Sequence, residues 1–521
     1  MAKADIQTIV ILGAGAGGLA AAIALGAAGY RVLVLEAAAG PGGKLRQVTA
    51  AGQVYDAGPT VLTMKWVFDG LLARCGLRLE DGLPLTRADV IARHYWEGGA
   101  SLDLFADPAE SRRAIADFAG ADNEEGFRRF TEDSARVFAL LRDSFIDAAR
   151  PNPVSLSRRI GLHRPGALFA LQPFTTLWSA LGRYFPDPRL RQLFGRYATY
   201  CGSSPFLSPA TLMLVAHVEQ AGLWLVEGGM HALARHLAAI AEGLGVRFRY
   251  GEAVRAIHSD AAGQVVTGVE MESGQFVPAS QVIYNGDAAA LGGLLGQTPA
   301  PSRAGGRSRG RSLSALVVCG PAKPRGVELA HHTVFFSENY RDEFDAIFRD
   351  GRPPDDPTIY VCAQDRDAAG RLGEGHAAGE AERLYCLMNM PADGDRRLYQ
   401  ESDIEKCLTA MDRRLAANGL TAGRLRDAQI VTSPDRFAAL YPGSGGALYG
   451  QASHGWMASF SRPGSRGPLQ GLYLAGGSVH PGPGVPMAAL SGKLAADLLM
   501  ADMGSTSRSR LAATVGGMSM R

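Results

Sequence analysis

Paired cysteines are missing from this chain. Its six cysteines, Cys75, Cys201, Cys319, Cys362, Cys386 and Cys407, are scattered with no CxxC among them. That leaves no disulfide framework and no metal site, and it suits a reducing cytoplasm. No window of about 18 uninterrupted apolar residues occurs, so nothing is expected to span a bilayer. Strong charge of either sign is lacking as well. The formal net charge is only +2, whereas nucleic-acid binding needs a concentrated basic face, so no nucleic-acid partner is expected. Lysine is scarce, supplying six of 53 basic residues. Arginine pairs well with phosphate, but genomic base composition accounts for that bias equally well. Apolar residues, by contrast, make up 46% of 521 positions, enough to fill two or three domains.

The most informative stretch is Gln7 to Glu36. Thr8 to Leu12 is an apolar, β-branched run fit for a strand buried on both faces of a parallel sheet. It leads into Gly13-Ala14-Gly15-Ala16-Gly17-Gly18, which carries GxGxxG. In that motif the first glycine permits a tight turn, the second lets backbone approach a pyrophosphate, and the third lets the following helix pack close. Leu19 to Ala28 is alanine-rich and helical by propensity, so its free N–H groups and positive dipole end face the phosphates. Arg31 to Leu35 is the second strand. Glu36 stands at its tip, 18 residues after Gly18, placed to accept hydrogen bonds from ribose hydroxyls. A glycine turn without ligand is the plain alternative, but strand, helix and acid are all present at the right distances. A signal peptide or membrane span is excluded because no basic n-region precedes the run, six glycines interrupt it and Arg31 lies inside it.

Further along, Ala37 to Arg46 (AAAGPGGKLR) offers Gly40, Gly42 and Gly43 for a backbone excursion, with Lys44 and Arg46 as cations beside a diphosphate; an ordinary polar loop explains it as well. A strand-like segment then ends in Asp56-Ala57-Gly58-Pro59-Thr60. Residues 85 to 215 read as a helical block, with an amphipathic stretch from Glu125 to Arg142. Inside it, Gly166 to Phe185 is rich in Leu, Phe and Trp with basic flanks. It suits either a lipid interface or a buried helix pair broken at Pro173. Trp224 to Ala234 opens a helix running to about Leu244. Val246 to Tyr250 and Glu252 to His258 read as two strands meeting at a turn, with Val254 central in the second. Strand pattern continues over Val265 to Met271 and Phe276 to Tyr284. Thr298 to Ser314 is rich in Pro, Gly, Ser and Arg and reads as a mobile linker. From 315 to 464, strands at Ala315–Cys319, Thr358–Cys362 and Leu384–Asn389 alternate with a helix at Asp403–Ala417, an α+β layout. His331 and His332 read as surface residues, since adjacent strand positions face opposite ways.

The second informative motif is Gly471 to Gly492, GLYLAGGSVHPGPGVPMAALSG. Leu472 to Ala475 can rejoin the first sheet, and a Gly- and Pro-rich turn opens a helix near Pro486. A helix N-terminus there can stabilise negative charge arriving on a flavin ring carbonyl. The tail from Gly504 is expected to be disordered.

Together, the opening GAGAGGLAAAIALGAAGYRVLVLEAAAGPGGKL, the DAGPT at 56 to 60 and this closing motif resemble the bacterial carotenoid desaturases of the phytoene desaturase type. These are relatives of the amine oxidases. Amine oxidases usually carry an acid after the glycine where this chain has Gly476-Gly477-Ser478. The stretch DAGPTVLTMKWVFD is most similar to the hydroxyneurosporene and methoxyneurosporene branch, the 1-hydroxycarotenoid 3,4-desaturases.

The resemblance implies an α/β fold with a discontinuous Rossmann-like FAD-binding domain (1–84, 216–297 and 465–503). It also implies a helical, membrane-facing block (85–215), an α+β substrate domain (298–464) and a disordered tail (504–521). FAD would be held by Gly13, Ala14, Gly15, Ala16, Gly17, Gly18, Glu36 and Ala37 at the ADP half, and by Gly43, Lys44 and Thr60 further along. Val254 would lie by the adenine, and Gly476, Gly477, Gly484, Val485, Pro486 and Met487 at the flavin ring. The implied reaction removes hydride, then a proton, from an acyclic carotenoid, with oxygen or quinone as final acceptor. No catalytic residue is identified; Asp435, Arg196 and Tyr200 are conceivable polar groups near the substrate. The enzyme would be cytoplasmic and peripheral on the inner membrane. Competing readings are a phytoene desaturase, a flavin-dependent carotenoid isomerase, and a non-enzymatic prenyl-lipid escort of the Rab-GDI type.

Overall fold

A computed structural model describes residues 8–148, 156, 172, 174–297, 310–373 and 380–516, with side chains to 505. The fully buried run Ile9–Leu12 forms β1, Ala16–Ala27 forms α1, and Val32–Glu36 forms β2, as the sequence predicts. Every residue of α1 from Gly17 to Gly26 is buried. A helix apolar on all sides needs cover on all sides. The sheet covers one side of it and the C-terminal helix, Val485–Gly516, the other.

β1 and β2 belong to a five-stranded parallel sheet ordered Leu472–Leu474, Val282–Tyr284, β1, β2, Arg247–Tyr250. Three distant parts of the chain therefore build one sheet. Arg247–Tyr250 and Val254–Ser259 do not meet as a hairpin: the first extends the parallel sheet and the second starts a separate three-stranded antiparallel sheet.

A seven-stranded sheet forms the second layer. Its order is Ile430–Thr432, Ser314–Ala322, Glu382–Met390, Ile359–Ala363, His332–Phe335, Val90–Tyr95, Ser101–Phe105. The last two strands come from the stretch read as helical. Val90–Tyr95 pairs in parallel with His332–Phe335, a long-range pairing that no local periodicity reveals. Helices do dominate from Pro108 on, including Ala121–Leu141, which packs Phe127 and Phe130 against Phe185 and Phe194.

The Gly166–Phe185 segment divides. Residues 166–171 and 173 lie outside the described residues. Leu177, Leu181 and Phe185 are fully buried, so its second half is core, whereas Phe174 is 81% exposed. The linker expected at Thr298–Ser314 lies outside the described residues from 298 to 309. The C-terminal helix runs on to Gly516, past Gly504, where a disordered tail is expected. A lone glycine inside a helix costs about 1 kcal/mol, too little to end it. Among the described residues no helix is long and apolar enough to cross a membrane.

Candidate active site

The two sequence motifs meet on one cavity of about 1810 Å³, well above the roughly 300–1,000 Å³ of an ordinary small-molecule site. Every predicted cofactor residue lines it except Ala14 and Gly18. Those two act behind the surface. Ala14 donates its N–H to Glu36 Oε2 at 2.6 Å. A Cβ on Gly18 would stand 2.0 Å from the Gly13 carbonyl oxygen, so glycine here is what lets α1 rest on its own turn.

α1 and the C-terminal helix both begin at this cavity. Neither has an acidic residue in its first turn, and Gly15, which caps α1, supplies no side-chain acceptor. Their first N–H groups are left for an anion or a polar ring edge. At Gly477 and Gly484 an added Cβ would find no protein atom nearer than 3.8 and 4.0 Å respectively. Those two glycines leave an open face that a flat ring can approach, and the residues present fit FAD.

Glu36 is 8% exposed and also accepts the Ala38 N–H at 2.8 Å. With two oxygens it keeps lone pairs for ribose hydroxyls. Lys44 donates from Nζ to the Leu448 carbonyl at 2.6 Å. Burial pulls its ammonium below the ordinary lysine range; Asp287 offsets part of this and Arg462 adds to it. A buried cation short of countercharge suits a diphosphate.

Asn285, which sequence reasoning missed, braces the whole turn. Its Nδ2 donates to the Gly13 carbonyl at 3.2 Å and its backbone N–H to that of Leu12 at 2.9 Å. Its side chain fills the space a Cβ would need at Gly17, 2.5 Å from Oδ1. The sequence shows only that it follows the predicted strand Phe276–Tyr284; the pairing of Val282–Tyr284 with β1 is what puts it opposite the GxGxxG turn.

In the DAGPT segment, Asp56 serves structure. It accepts the N–H groups of Met230, through a short bond, and of His231 at 3.3 Å, capping the helix Met230–Gly243. Burial raises its carboxyl pKa. A Cβ on Gly58 would lie 1.8 Å from the Lys44 carbonyl oxygen, so this loop rests on the Gly43–Lys44 turn. Thr60 then reaches the cavity, its Oγ1 2.7 Å from Tyr360 Oη.

Beyond the glycines the wall is mostly apolar, with Ile91, Leu141, Leu212, Val215 and Phe460, and it carries several polar groups, among them Arg311, Asp395 and Arg462 and a patch around Arg196. There Arg196 donates to Tyr200 Oη at 2.9 Å, and Tyr200 donates to Glu219 Oε1 at 2.8 Å. Of the three polar groups considered for the substrate, Arg196 and Tyr200 line the cavity; Asp435 does not, and instead accepts the Ser433 hydroxyl. His332 is a correction. It is 2% exposed, lines the cavity and bonds Tyr360 Oη through Nδ1 at 2.7 Å. His331 is half-buried, with Nδ1 2.6 Å from the Arg366 carbonyl. His332 faces interior groups because its strand lies inside the sheet, and His331 directly precedes that strand.

The fold is that of the flavin amine oxidases: putrescine oxidase bound to putrescine superposes with a TM-score of 0.58 at 16% identity, covering 95% of this chain and 99% of that one. The family description "Flavin containing amine oxidoreductase" matches residues 16–500, and the chain belongs to that family as an FAD oxidoreductase. Within it the relatives are carotenoid enzymes. Hydroxyneurosporene desaturase of Rubrivivax gelatinosus is 47% identical over 98% of this chain and 97% of its own. The protein of that name from Cereibacter sphaeroides is 43% identical over 96% and 99%. A 1-hydroxycarotenoid 3,4-desaturase of Flavobacterium is 29% identical over 95% and 99%.

Proposed function

We propose that the chain desaturates acyclic 1-hydroxy or 1-methoxy carotenoids, hydroxyneurosporene or methoxyneurosporene, at the 3,4 bond in carotenoid biosynthesis. The observation that carries this reading is one cavity of about 1810 Å³ lined by both glycine-rich motifs and, beyond them, mostly by apolar side chains. The full-length likeness to the hydroxyneurosporene desaturases supports the same substrate.

FAD, when bound, supplies the hydride acceptor. The protein's part is to align the chain and exclude water. A hydrogen on saturated carbon beside a polyene is not acidic, so the pair of hydrogens leaves most simply as hydride followed by proton. The polyene spreads the intervening positive charge, which lowers the demand for a strong base. The apolar wall leaves that charge no water to capture it. Gly477 and Gly484 give the ring room, and the C-terminal helix presents its N–H groups where charge develops.

The substrate dissolves in lipid, and we place the protein peripherally on the cytoplasmic face of the inner membrane. Trp456 lines the cavity and is 44% exposed, its ring 5.6 Å from that of Phe174. Met457 follows Trp456 in the chain, and Leu207 accepts the Gly455 N–H at 2.9 Å; both are exposed. Such a cluster beside a cavity supports lipid contact. Oxygen and quinone both remain suitable final acceptors.

The test is anaerobic incubation with 1-hydroxyneurosporene and with phytoene in liposomes, following flavin bleaching and product mass. The hydroxylated substrate is expected to bleach the flavin and lose two hydrogens. Bleaching by phytoene alone overturns the assignment, and a product of unchanged mass turns it into an isomerase.

A further inference from the structure

We propose that Thr60, Tyr360 and His332 form a hydrogen-bond relay that holds the oxygen at C1 of the carotenoid and accepts it as either a hydroxyl or an ether. This rests on the substrate reading above.

All three residues line the cavity. Thr60 Oγ1 and His332 Nδ1 each lie 2.7 Å from Tyr360 Oη, so the three form a continuous chain. At its far end His332 Nε2 is buried and has no partner. An unpaired polar nitrogen inside a protein is costly. Of the neighbouring polar groups, Arg196, Tyr200 and Glu219 satisfy each other, while Tyr340 Oη, like His332 Nε2, is buried without a partner. His332 is the unmatched position that is bonded into the Thr60–Tyr360 chain.

The relay's chemistry suits two oxygen types. Burial, with help from His331 and Arg196, keeps the His332 imidazole neutral. A neutral ring donates from one nitrogen and accepts at the other. When Thr60 donates to Tyr360 and Tyr360 donates to Nδ1, Nε2 carries the hydrogen and can donate to a methoxy oxygen, which only accepts. When both hydroxyls turn the other way, Nδ1 donates to Tyr360 and Nε2 accepts from a hydroxyl. Two rotors and one tautomer shift exchange the states without a change of charge.

Position supports the same assignment. In a 1-oxygenated carotenoid only C1 and C2 separate the oxygen from C3, so whatever holds the oxygen must lie close to the flavin ring. Thr60 lines the same cavity as Gly477 and Gly484, and Gly58, two residues before it, rests on the Lys44 carbonyl of the diphosphate turn, which ties this end of the relay to the cofactor site. His331, His332 and Cys362 also bring three ligand atoms within 4.8 Å of one another. Both rings already bond protein oxygens through Nδ1 and burial pushes the Cys362 thiol up, an environment for neutral hydrogen bonding and not for a cation.

The experiment uses full-length holoenzyme, wild type, His332→Leu, His332→Gln and Tyr360→Phe, with flavin content measured in each. Substrates are 1-hydroxyneurosporene, 1-methoxyneurosporene and neurosporene, which lacks the oxygen, all in liposomes. His332→Leu is expected to lose about tenfold more kcat/KM on the oxygenated pair than on neurosporene, the value of roughly one hydrogen bond. Binding of the desaturated product, which keeps the oxygen and is not turned over, should weaken by the same factor. His332→Gln, with a donor and an acceptor, should recover part of the preference. Tyr360→Phe should change the ratio of hydroxy to methoxy turnover. Equal loss on all three substrates, or a wild type without preference for the oxygenated pair, overturns the proposal. A wild type that converts phytoene and none of these three removes the substrate reading instead, a distinct result.

Discussion

Gly18 has no room for a side chain, because a Cβ there would meet the Gly13 carbonyl oxygen at 2.0 Å. Gly18→Ala must therefore push α1 off the turn that carries the diphosphate N–H groups. The expected outcome is purified protein with at least about tenfold weaker FAD retention, read as flavin per chain after dialysis. Gly40→Ala, with nothing within 4 Å of the added carbon, should retain FAD like the wild type. At this scale the sequence was readable wherever a fixed motif carries the chemistry: the glycines lie in their own turns, and Glu36 follows Gly18 at the motif's spacing of 18 residues. Asn285 and His332 were not readable, because each acquires its role from a strand that lies far away in the chain. His332 in particular reads as a surface residue until Ile359–Ala363 and Val90–Tyr95 cover its strand on both sides.

Glu343 shows how one buried acid joins several elements. It sits on the short helix Tyr340–Asp345 and accepts from Ser337 Oγ at 3.1 Å, the Thr358 N–H at 3.0 Å and Asn389 Nδ2 at 3.1 Å, tying the ends of three neighbouring strands. Burial nevertheless outweighs these bonds and raises its carboxyl pKa to about 7. The native protein keeps this proton up to about pH 7 while the unfolded chain releases it near pH 4.5, so stability from this group falls as pH rises through that window. The loss is of order 3 kcal/mol. Glu343→Gln should remove the slope, gaining on the wild type in urea midpoint between about pH 5 and pH 8. An unchanged pH dependence would show that the carboxyl stays ionised. Elements with strong local pattern, β1, α1, β2 and the helix Glu401–Ala417, stand where the sequence places them. Val90–Tyr95 was missed because Arg93 and His94 interrupt its apolar run, and only the parallel partner strand makes it a strand.

At the scale of the whole molecule, the two cofactor motifs and the exposed Trp456 share one cavity. Phe174 and Trp456 are the exposed aromatics at its outer side. Replacing both by Glu should reduce co-sedimentation with liposomes and turnover of liposome-borne substrate severalfold, since each removes apolar contact and adds repulsion from anionic lipid. Flavin content should stay unchanged. Parallel loss of flavin and lipid binding would show that the pair holds the fold together instead. The overall architecture was legible from the two glycine motifs at opposite ends of the chain. The division of the middle was not, since the seven-stranded sheet draws strands from both sides of the segment at 298–309.

The parallel sheet takes its last strand from Leu472–Leu474, and α1 is covered by the helix that follows. A ribosome therefore releases the dinucleotide turn long before its lid exists. Until the final stretch emerges, Val282–Tyr284 is an uncovered edge and the alanine face of α1 is bare to solvent. Flavin capture is accordingly expected to wait for Leu472–Leu474 and the helix after it, which complete the sheet and cover α1.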